Sequence, residues 1–285
     1  LKADVVVMSL GIRPNTAFLK DTGLEMMPNG TILVDSQMKT NLPNVYAAGD
    51  CVCVTNRLTG ERAWSPMGSS ANMEGRTLAE AMCGEDSSYP GVLGTAVVKL
   101  PELNGGRTGL SEEAANKAGY DVISVVIATD DKAHYYPGAG MFIIKLIADK
   151  NSRKLLGVQV LGSGAVDKVT DVGVVALTMG ATIDQLQNMD MAYAPPFSTA
   201  IHPFVTAINV LKNKLEGKMD SMTPAEFMQG KAEGYRIVDA ALMPSISGAP
   251  YVDLNTVTGE VKGLGKEEKL LLICNKGKRA YLLQN

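Results

Sequence analysis

The sequence predicts a protein of mixed α/β and α+β architecture with two or three domains. Its 285 residues are enough for several cores, and a content of 46% hydrophobic and 20% charged residues is typical of globular chains. Up to about residue 90, short apolar strands alternate with Gly-rich turns and one helix. Residues 91 to about 215 follow a strand–helix–strands–helices order, which is an α+β pattern. A linker at 215–222 then leads into a third segment.

The first segment places an acidic residue where ligands bind in α/β sheets. A turn at 41–44 leads into an apolar strand over 45–48, which stops at Gly49 and leaves Asp50 at its carboxyl end. Ligands of open α/β sheets bind outside the carboxyl ends of strands. The small residues before Asp50 let a ligand approach the backbone, and its carboxylate offers acceptor oxygens to ligand hydroxyls. We also expect a strand over 4–10 and a helix over 69–83.

The second segment is organised by caps and apolar periodicity. Ser111 caps a short helix that Gly119 ends. The turn 162–164, Gly-Ser-Gly, is expected to be a tight connection rather than a phosphate loop. We expect strands at 95–100, 122–128, 140–148 and 154–161, a helix through Val166, Val169 and Val172, and a last helix with Phe204, Ile208 and Leu211 on one face.

The third segment opens on a strong helix start. Thr223 is the expected N-cap and Pro224 the first helical residue. Strands are expected near 235–239 and 269–274, with a helix starting near Arg279. We expect this third unit to be incomplete in the sequence given.

Three passages in the first segment carry a family resemblance. Residues 40–50, 11–15 and 64–76 resemble segments of the FAD-dependent pyridine nucleotide-disulfide oxidoreductases. The resemblance implies that Asp50 binds the ribityl chain of FAD and that the helix after 64 points its N-terminus at the flavin pyrimidine ring. Free N–H groups and the helix dipole suit that role. It implies FAD and NADH or NADPH as cofactors, with a cofactor-binding set of Gly49, Asp50, Pro66, Met67, Gly68, Ser69 and Phe197.

The resemblance also implies a domain plan. Residues 1–90 would hold the end of the NAD domain and the C-terminal part of the FAD-binding domain, 91–215 a dimerisation domain, and 216–285 an incomplete rhodanese-like domain. No Gly-x-Gly-x-x-Gly loop occurs in the first segment. The chain is therefore expected to be the C-terminal piece of a flavoprotein with two dinucleotide-binding domains, inactive by itself. Its redox-active cysteine is expected in an N-terminal part outside this sequence.

Two aromatic segments indicate the branch of that family. Residues 193–198 read Tyr-Ala-Pro-Pro-Phe-Ser, where two prolines fix a rigid, non-helical segment. They resemble the coenzyme A-disulfide reductase and NADH oxidase branch, which implies that Tyr193 orients a thiolate or donates a proton at the partner's active site in a homodimer. Residues 134–138 resemble the same branch and assign a coenzyme A contact to Tyr135 or Tyr136, without distinguishing them.

His202 is a second candidate acid or base. The His202–Pro203 pair is similar to the His-Pro-Thr motif of glutathione-reductase-like relatives, in which the His is catalytic. Phe204 stands in place of the Thr, and no Glu follows before Glu216. We therefore expect a structural His202.

Residues 274–279, Cys-Asn-Lys-Gly-Lys-Arg, form the third motif. An apolar strand delivers Cys274 into a loop whose amide groups, cations and following helix favour a thiolate. The pattern resembles a rhodanese active loop, which implies that Cys274 carries a persulfide and that Arg279 closes the loop. The rhodanese Asp-Val-Arg stretch is reduced to 238–240, Val-Asp-Ala. The alternative for Cys274 is a buried cysteine at a strand end.

Composition excludes several classes of protein. A formal net charge of −3 gives no bulk basic field for nucleic acid, and no apolar run approaches the roughly 20 residues that span a bilayer. Four cysteines without a spaced framework favour a reducing compartment, and no Cys or His spacing indicates a metal. We predict a cytoplasmic protein without a metal, a nucleic-acid partner or a membrane partner.

The sequence thus predicts an FAD-dependent NAD(P)H reductase of coenzyme A disulfide, coenzyme A persulfide or a related thiol compound. One alternative is an NADH oxidase that reduces oxygen at the flavin. The other is a non-catalytic dimerisation and sulfur-carrier fragment. The electron acceptor and the choice between NADH and NADPH stay open.

Overall fold

The computed structural model describes residues 2–265 and 267–285. The chain splits into two compact units, Leu1–Gly94 and Thr95–Asn285. Each unit contains both helices and strands, so the predicted mixed α/β fold is confirmed.

The first unit is a small sheet followed by a helix. Strand β1 (Ile32–Leu33) runs parallel to β2 (Val52–Thr55), and β2 is antiparallel to β3 (Arg62–Ala63). Helix α1 (Gly68–Met82) confirms the helix expected over 69–83. The core consists of Ile32, Val34, Met38, Val52, Val54, Tyr89 and Val92.

Two strands predicted in this unit are wrong. Within 45–48 only Tyr46 pairs, in an isolated antiparallel bridge with Lys39. The pairing does not continue beyond this bridge, and the N–H of Gly49 donates to the side chain of Glu74 instead of a neighbouring strand. Asp50 therefore lies in a turn that leads into β2, not at the end of a strand. Residues 4–10 pair with no described strand, and strands form only where a neighbour supplies partners.

The second unit is built on a five-stranded antiparallel sheet. The strand order is β4-β5-β8-β7-β6. Four of these strands match the predicted ones, whereas β5 was not predicted because its three glycines hide the alternation. The strands are β4 (Ala96–Lys99), β5 (Asn104–Gly109), β6 (Val122–Asp130), β7 (Met141–Asp149) and β8 (Leu155–Gly162).

Helices cover one face of this sheet. Helix α3 (Val166–Thr178) packs on β5 and β8, and helix α5 (Pro203–Leu215) packs on β6 and β7. A side chain at Gly173 would lie 2.8 Å from Val158, which shows how closely α3 approaches the sheet. The side chains of Phe204, Ile208 and Leu211 are fully buried, as predicted. The helices are α2 (Glu112–Lys117), α3 (Val166–Thr178), α4 (Ile183–Leu186) and α5 (Pro203–Leu215).

The C-terminal segment joins the same unit. Helix α6 (Pro224–Met228) starts at the predicted cap, where Thr223 and Glu226 form a capping box. Strands β9 (Arg236–Asp239) and β10 (Leu270–Ile273) pair in parallel, and α7 (Lys278–Gln284) follows. Three side-chain contacts tie this segment to residues before it: Lys276 to Asp130, Tyr281 to Asn213, and Gln284 to Asp220.

Candidate functional site

The turn at Gly49–Asp50 is held from both sides. The amide of Gly49 donates to Glu74 Oε2 over 2.7 Å, and the indole Nε1 of Trp64 donates to the Asp50 carbonyl oxygen over 2.8 Å. Gly49 has a φ of +94°, a conformation that L side chains rarely adopt. The Asp50 side chain is exposed, and its carboxylate makes no hydrogen bond to another described residue. The turn therefore presents a free acceptor on a fixed backbone.

The start of α1 lies beside this turn. The N-cap residue Met67 makes no side-chain cap, and among the described hydrogen bonds no side chain accepts from the first amide groups of the helix. Pro66 is half-buried, while Met67, Gly68 and Ser69 are exposed. An ideal Cβ on Gly49 would lie 3.8 Å from Ala71 Cβ, which places the turn against the first turns of α1.

These features fit a flavin nucleotide. A free carboxylate suits the hydroxyls of a ribityl chain, and the open amino end of a 15-residue helix suits an electron-rich ring edge. Gly49, Asp50, Pro66, Met67, Gly68 and Ser69 are the residues of this region that would hold it; Phe197, the other residue of the predicted set, lies in the segment 193–198.

The loop between β6 and β7 presents two tyrosines. The backbone of Asp131 donates to the Gly140 carbonyl, and the amide of Gly140 donates to Asp131 Oδ1, so the base of the loop is closed. Tyr135 is 68% exposed and makes an edge contact with His134, with ring centroids 5.4 Å apart. Tyr136 is also exposed. Both rings are therefore available to a ligand or partner.

The segment 193–198 presents two further aromatics. Tyr193 is 50% and Phe197 73% exposed. Among the described residues, no hydrogen bond or ring contact joins either of them to Tyr135 or Tyr136. The structure does not bring the predicted aromatic residues together within one chain.

His202 has the structural role expected from sequence. It is the N-cap of α5, and its Nδ1 accepts the amide of Phe204 over 3.2 Å. Burial, with a smaller effect of the Lys168 charge, lowers the pKa of His202 to about 4. An imidazole that is buried, neutral and used as a cap is a poor acid near neutral pH.

Cys274 lies at the end of β10, partly buried. Its Sγ accepts the amide of Ala280, 3.4 Å away, at the start of α7. The Arg279 guanidinium donates to the Ala240 carbonyl and to Asp253, and Lys276 pairs with Asp130. Lys276 and Arg279 thus bind groups of the surrounding fold, and no described hydrogen bond joins either of them to the thiol.

The other three cysteines are free but differ in exposure. Cys53 is buried in β2, and burial raises the pKa of Cys51, as predicted for packed thiols. The helical sequence around Cys83 predicts a packed, slowly reacting thiol; Cys83 is exposed, so this prediction is wrong. It follows the last residue of α1, where the helix leaves the core.

The described residues contain neither a membrane-spanning helix nor a cluster of metal ligands. No helix among them has the length and apolar character needed to cross a bilayer. Within the same residues, no cluster of three or more His, Cys, Asp or Glu side chains could hold a metal ion.

Comparison with known proteins identifies the family. The model of the pyridine nucleotide-disulphide oxidoreductases matches residues 1–78, and that of their dimerisation domain matches residues 95–204. The chain belongs to the pyridine nucleotide-disulphide oxidoreductase family. Its homologues in this family use FAD and NAD(P)H.

The relatives carry more specific names. The CoA-dependent NAD(P)H sulfur oxidoreductase of Pyrococcus furiosus is 37% identical over 211 residues, 74% of this chain and 48% of the relative. The NAD-dependent persulfide reductase of A. fulgidus superimposes with a TM-score of 0.86 at 34% identity, covering 96% of this chain and 50% of that one. Reduced CoADR-RHD from Bacillus anthracis gives a TM-score of 0.90 at 30% identity, covering 99% and 52%. The chain spans about half the length of these relatives.

Sequence reasoning missed Glu74 and Trp64, the side chains that hold the Gly49–Asp50 turn. A glutamate inside a helix carries no visible signal of burial. Only its position facing Gly49 reveals the role.

Proposed function

We propose that this chain supplies the flavin-facing turn and the dimerisation domain of an FAD-dependent NAD(P)H reductase acting on coenzyme A disulfide or persulfide. The observation that carries the proposal is the free Asp50 carboxylate beside the uncapped start of α1. Bound FAD would supply electron transfer from NAD(P)H to sulfur. One hydride and one proton convert a disulfide to two thiols, or a persulfide to a thiol and hydrogen sulfide.

The chain's own residues would bind and orient the reactants. Asp50 would accept hydrogen bonds from the ribityl hydroxyls, and the amides at the start of α1 would face the pyrimidine edge of the flavin. Tyr193 would hold the substrate sulfur or donate a proton to the departing thiolate. Tyr135 or Tyr136 would contact coenzyme A, and Phe197 would lie near the flavin of the partner. Exposure of all four rings supports these assignments.

We propose a homodimer in which residues 193–198 reach the partner's site. The match of residues 95–204 to a dimerisation domain supports this assembly. A dimer also explains why the predicted aromatic residues stay apart in one chain. The domain boundaries 1–90, 91–215 and 216–285 remain part of this proposal.

We further propose that residues 216–285 are a rhodanese-like domain with Cys274 as its sulfur carrier. The likeness to CoADR-RHD extends over 99% of the chain and so reaches beyond residue 215. The parallel β9–β10 pair places Cys274 at a strand end before a helix, as the motif requires. Arg279 would shape the loop through Ala240 and Asp253. Backbone amides, first that of Ser245 and then that of Ala241, hold the pKa of Asp239 at about 2.

A reducing compartment suits this chemistry. All four cysteines are free, which is usual for proteins of the cytoplasm. We therefore propose a cytoplasmic location.

Separating the two half-reactions tests the function. In the full-length protein, Tyr193→Phe should slow reduction of coenzyme A disulfide by roughly tenfold or more, because one hydroxyl that acts on sulfur is lost. Flavin reduction by NAD(P)H, followed by stopped-flow absorbance, should stay unchanged.

Tyr235→Phe is the matched control, since it removes a hydroxyl outside the proposed site. Equal slowing of both half-reactions by Tyr193→Phe would contradict the role of Tyr193. Rapid NADH consumption with oxygen and none with disulfide would favour the oxidase alternative.

A further inference from the structure

A buried carboxylate lies behind the Gly49–Asp50 turn without an evident structural need. Glu74 is only 1% exposed, and the other buried residues of α1, Ser70 and Thr77, carry small uncharged side chains. Burying a carboxylate is costly unless hydrogen bonds compensate. Burial raises the pKa of Glu74, and the charge of Asp50 raises it further. A buried carboxylate of this kind lowers the stability of the fold, so its presence indicates that its contact has a role.

The contact of Glu74 is with the backbone of the turn. Within the described residues, its carboxylate accepts one hydrogen bond, from the Gly49 amide over 2.7 Å. The groups around it are also acidic, since Asp50, Cys51 and Tyr89 all interact with it electrostatically. No salt bridge to a cation stabilises Glu74 in that part of the chain. The described contact of Glu74 therefore fixes the position of the Gly49 amide.

Trp64 fixes the other side of the same turn. Its indole Nε1 donates to the Asp50 carbonyl oxygen over 2.8 Å, from the end of the β2–β3 hairpin. The strand ladder does not reach this point: among the described residues 45–48 only Tyr46 pairs, and β2 begins at Val52. Two side chains distant in sequence thus do what a β-ladder does elsewhere.

The Asp50 carboxylate is the part of this turn that stays free. Its backbone is held on both sides, yet its side chain is exposed and makes no described hydrogen bond. A fixed backbone with an unused acceptor is the arrangement of a preorganised binding group, because ordering costs are met before the ligand arrives.

We propose that Glu74 and Trp64 are positioning residues that preorganise Asp50 for the hydroxyls of the flavin nucleotide. The inference rests on the proposed function, since the ligand is the FAD assigned there. Neither residue needs to touch the cofactor. Glu74 acts through the Gly49 amide and Trp64 through the Asp50 carbonyl.

Variants of matched size isolate the hydrogen bond of Glu74. In the full-length protein, Glu74→Met keeps the side-chain volume but removes the acceptor, and we expect the Kd for FAD to rise roughly tenfold, the effect of one lost hydrogen bond. Glu74→Gln keeps an acceptor oxygen and should restore the Kd to within about threefold of the unmodified protein. Flavin fluorescence during titration of apoprotein with FAD measures both values.

Two further variants complete the design. Trp64→Phe keeps the ring but removes the donor, and it should also weaken FAD binding severalfold. Glu80→Gln changes a glutamate of the same helix that pairs with Arg76 and Ser87, and it should leave the Kd unchanged. Amide hydrogen exchange at Gly49 in the apoprotein should be faster in Glu74→Met and near normal in Glu74→Gln.

The outcomes separate this inference from the proposed function. An unchanged Kd in Glu74→Met, or failure of Gln to restore it, overturns the positioning role. An apoprotein that binds no FAD, or a Kd that Asp50→Ala leaves unchanged, overturns the flavin assignment. Gly49 exchange still decides, without FAD, whether Glu74 holds the turn. If Glu74→Met does not fold, Glu74→Gln and Trp64→Phe decide the question.

Discussion

At the residue scale, the four thiols differ in exposure and in surroundings. Cys83 is exposed, Cys51 and Cys274 are partly buried and Cys53 is buried, and burial raises the pKa of Cys51. Cys274 is partly buried but accepts the amide of Ala280 at the start of α7. Cys83 is exposed at the end of α1 and has no comparable donor among the described hydrogen bonds. The thiolate, which is the reactive form, is favoured at helix N-termini and near amide donors.

Alkylation with a limiting amount of iodoacetamide distinguishes these thiols. We expect Cys274 to be labelled first at neutral pH, Cys83 second, and the buried Cys53 last. Peptide mass mapping gives the order. Cys83→Ser is the control for labelling driven by exposure alone, and it should leave the rate at Cys274 unchanged. Faster labelling of Cys83 than of Cys274 would remove the chemical support for a rhodanese-like loop.

At the scale of elements, helix starts set much of the second unit. Ser111 and Thr223 cap α2 and α6 with their hydroxyls, as their sequence motifs predict. Helix α5 instead begins at His202, whose Nδ1 must be unprotonated to accept the Phe204 amide. Protonation of this imidazole would both remove the cap and charge a buried ring.

The stability of the chain should therefore fall in mild acid. The folded pKa of His202, about 4, lies below the ordinary value of 6.5, so the unfolded state binds more protons between these values. The contribution of neutral His202 to the free energy of unfolding is complete above pH 6.5 and is lost as the pH falls towards 4. From pH 7 to 5 we expect a loss of about 1–2 kcal/mol in the free energy of unfolding, measured by urea titration.

His202→Asn is the matched variant for this prediction. Asn is a good N-cap and does not titrate. The free energy of unfolding of this variant should therefore fall less between pH 7 and 5 than that of the unmodified chain, by about 1–2 kcal/mol. The comparison uses the change with pH rather than the absolute stability. An Asn variant with the same pH slope as the unmodified chain would show that other groups cause the loss.

At the scale of the whole molecule, two apolar surfaces of the second unit stay exposed. One is a groove of about 500 Å³ on the sheet face opposite the helices, which includes Val98 and Ile143. The other is a stripe on α3, where Val175 is 63% and the following Met179 76% exposed. A two-fold interface must be complementary to itself. A convex helix stripe meets this condition, whereas a concave groove placed against its own copy leaves a void.

We expect the homodimer to form through α3. Val175→Asp should shift the mass measured by light scattering from dimer to monomer, because it buries a charge in the interface. Val98→Asp places the same charge in the sheet groove and should leave the dimer intact. Both positions are exposed in one chain, so neither variant should change the unfolding of the monomer by more than about 0.5 kcal/mol. A dimeric Val175→Asp variant would refute this interface.

The sequence by itself determined the elements that depend on local chemistry. Side-chain type and periodicity predict the caps at Ser111 and Thr223, the buried stripe of α5 and four strands of the large sheet. The family could also be inferred from the sequence, because the residues of each motif, 49–50 and 193–198, follow one another directly in the chain.

Tertiary structure decided whatever depends on partners distant in sequence. Residues 45–48 have the composition of a strand but form only an isolated bridge, and the next amide, that of Gly49, donates to Glu74. Near Cys274, Lys276 pairs with Asp130, and Arg279 donates to Asp253 and to the Ala240 carbonyl instead of the thiol. In each case the hydrogen-bond partner is distant in sequence. Polar groups of the backbone and side chains usually find a partner in the folded state, but the sequence does not say which one.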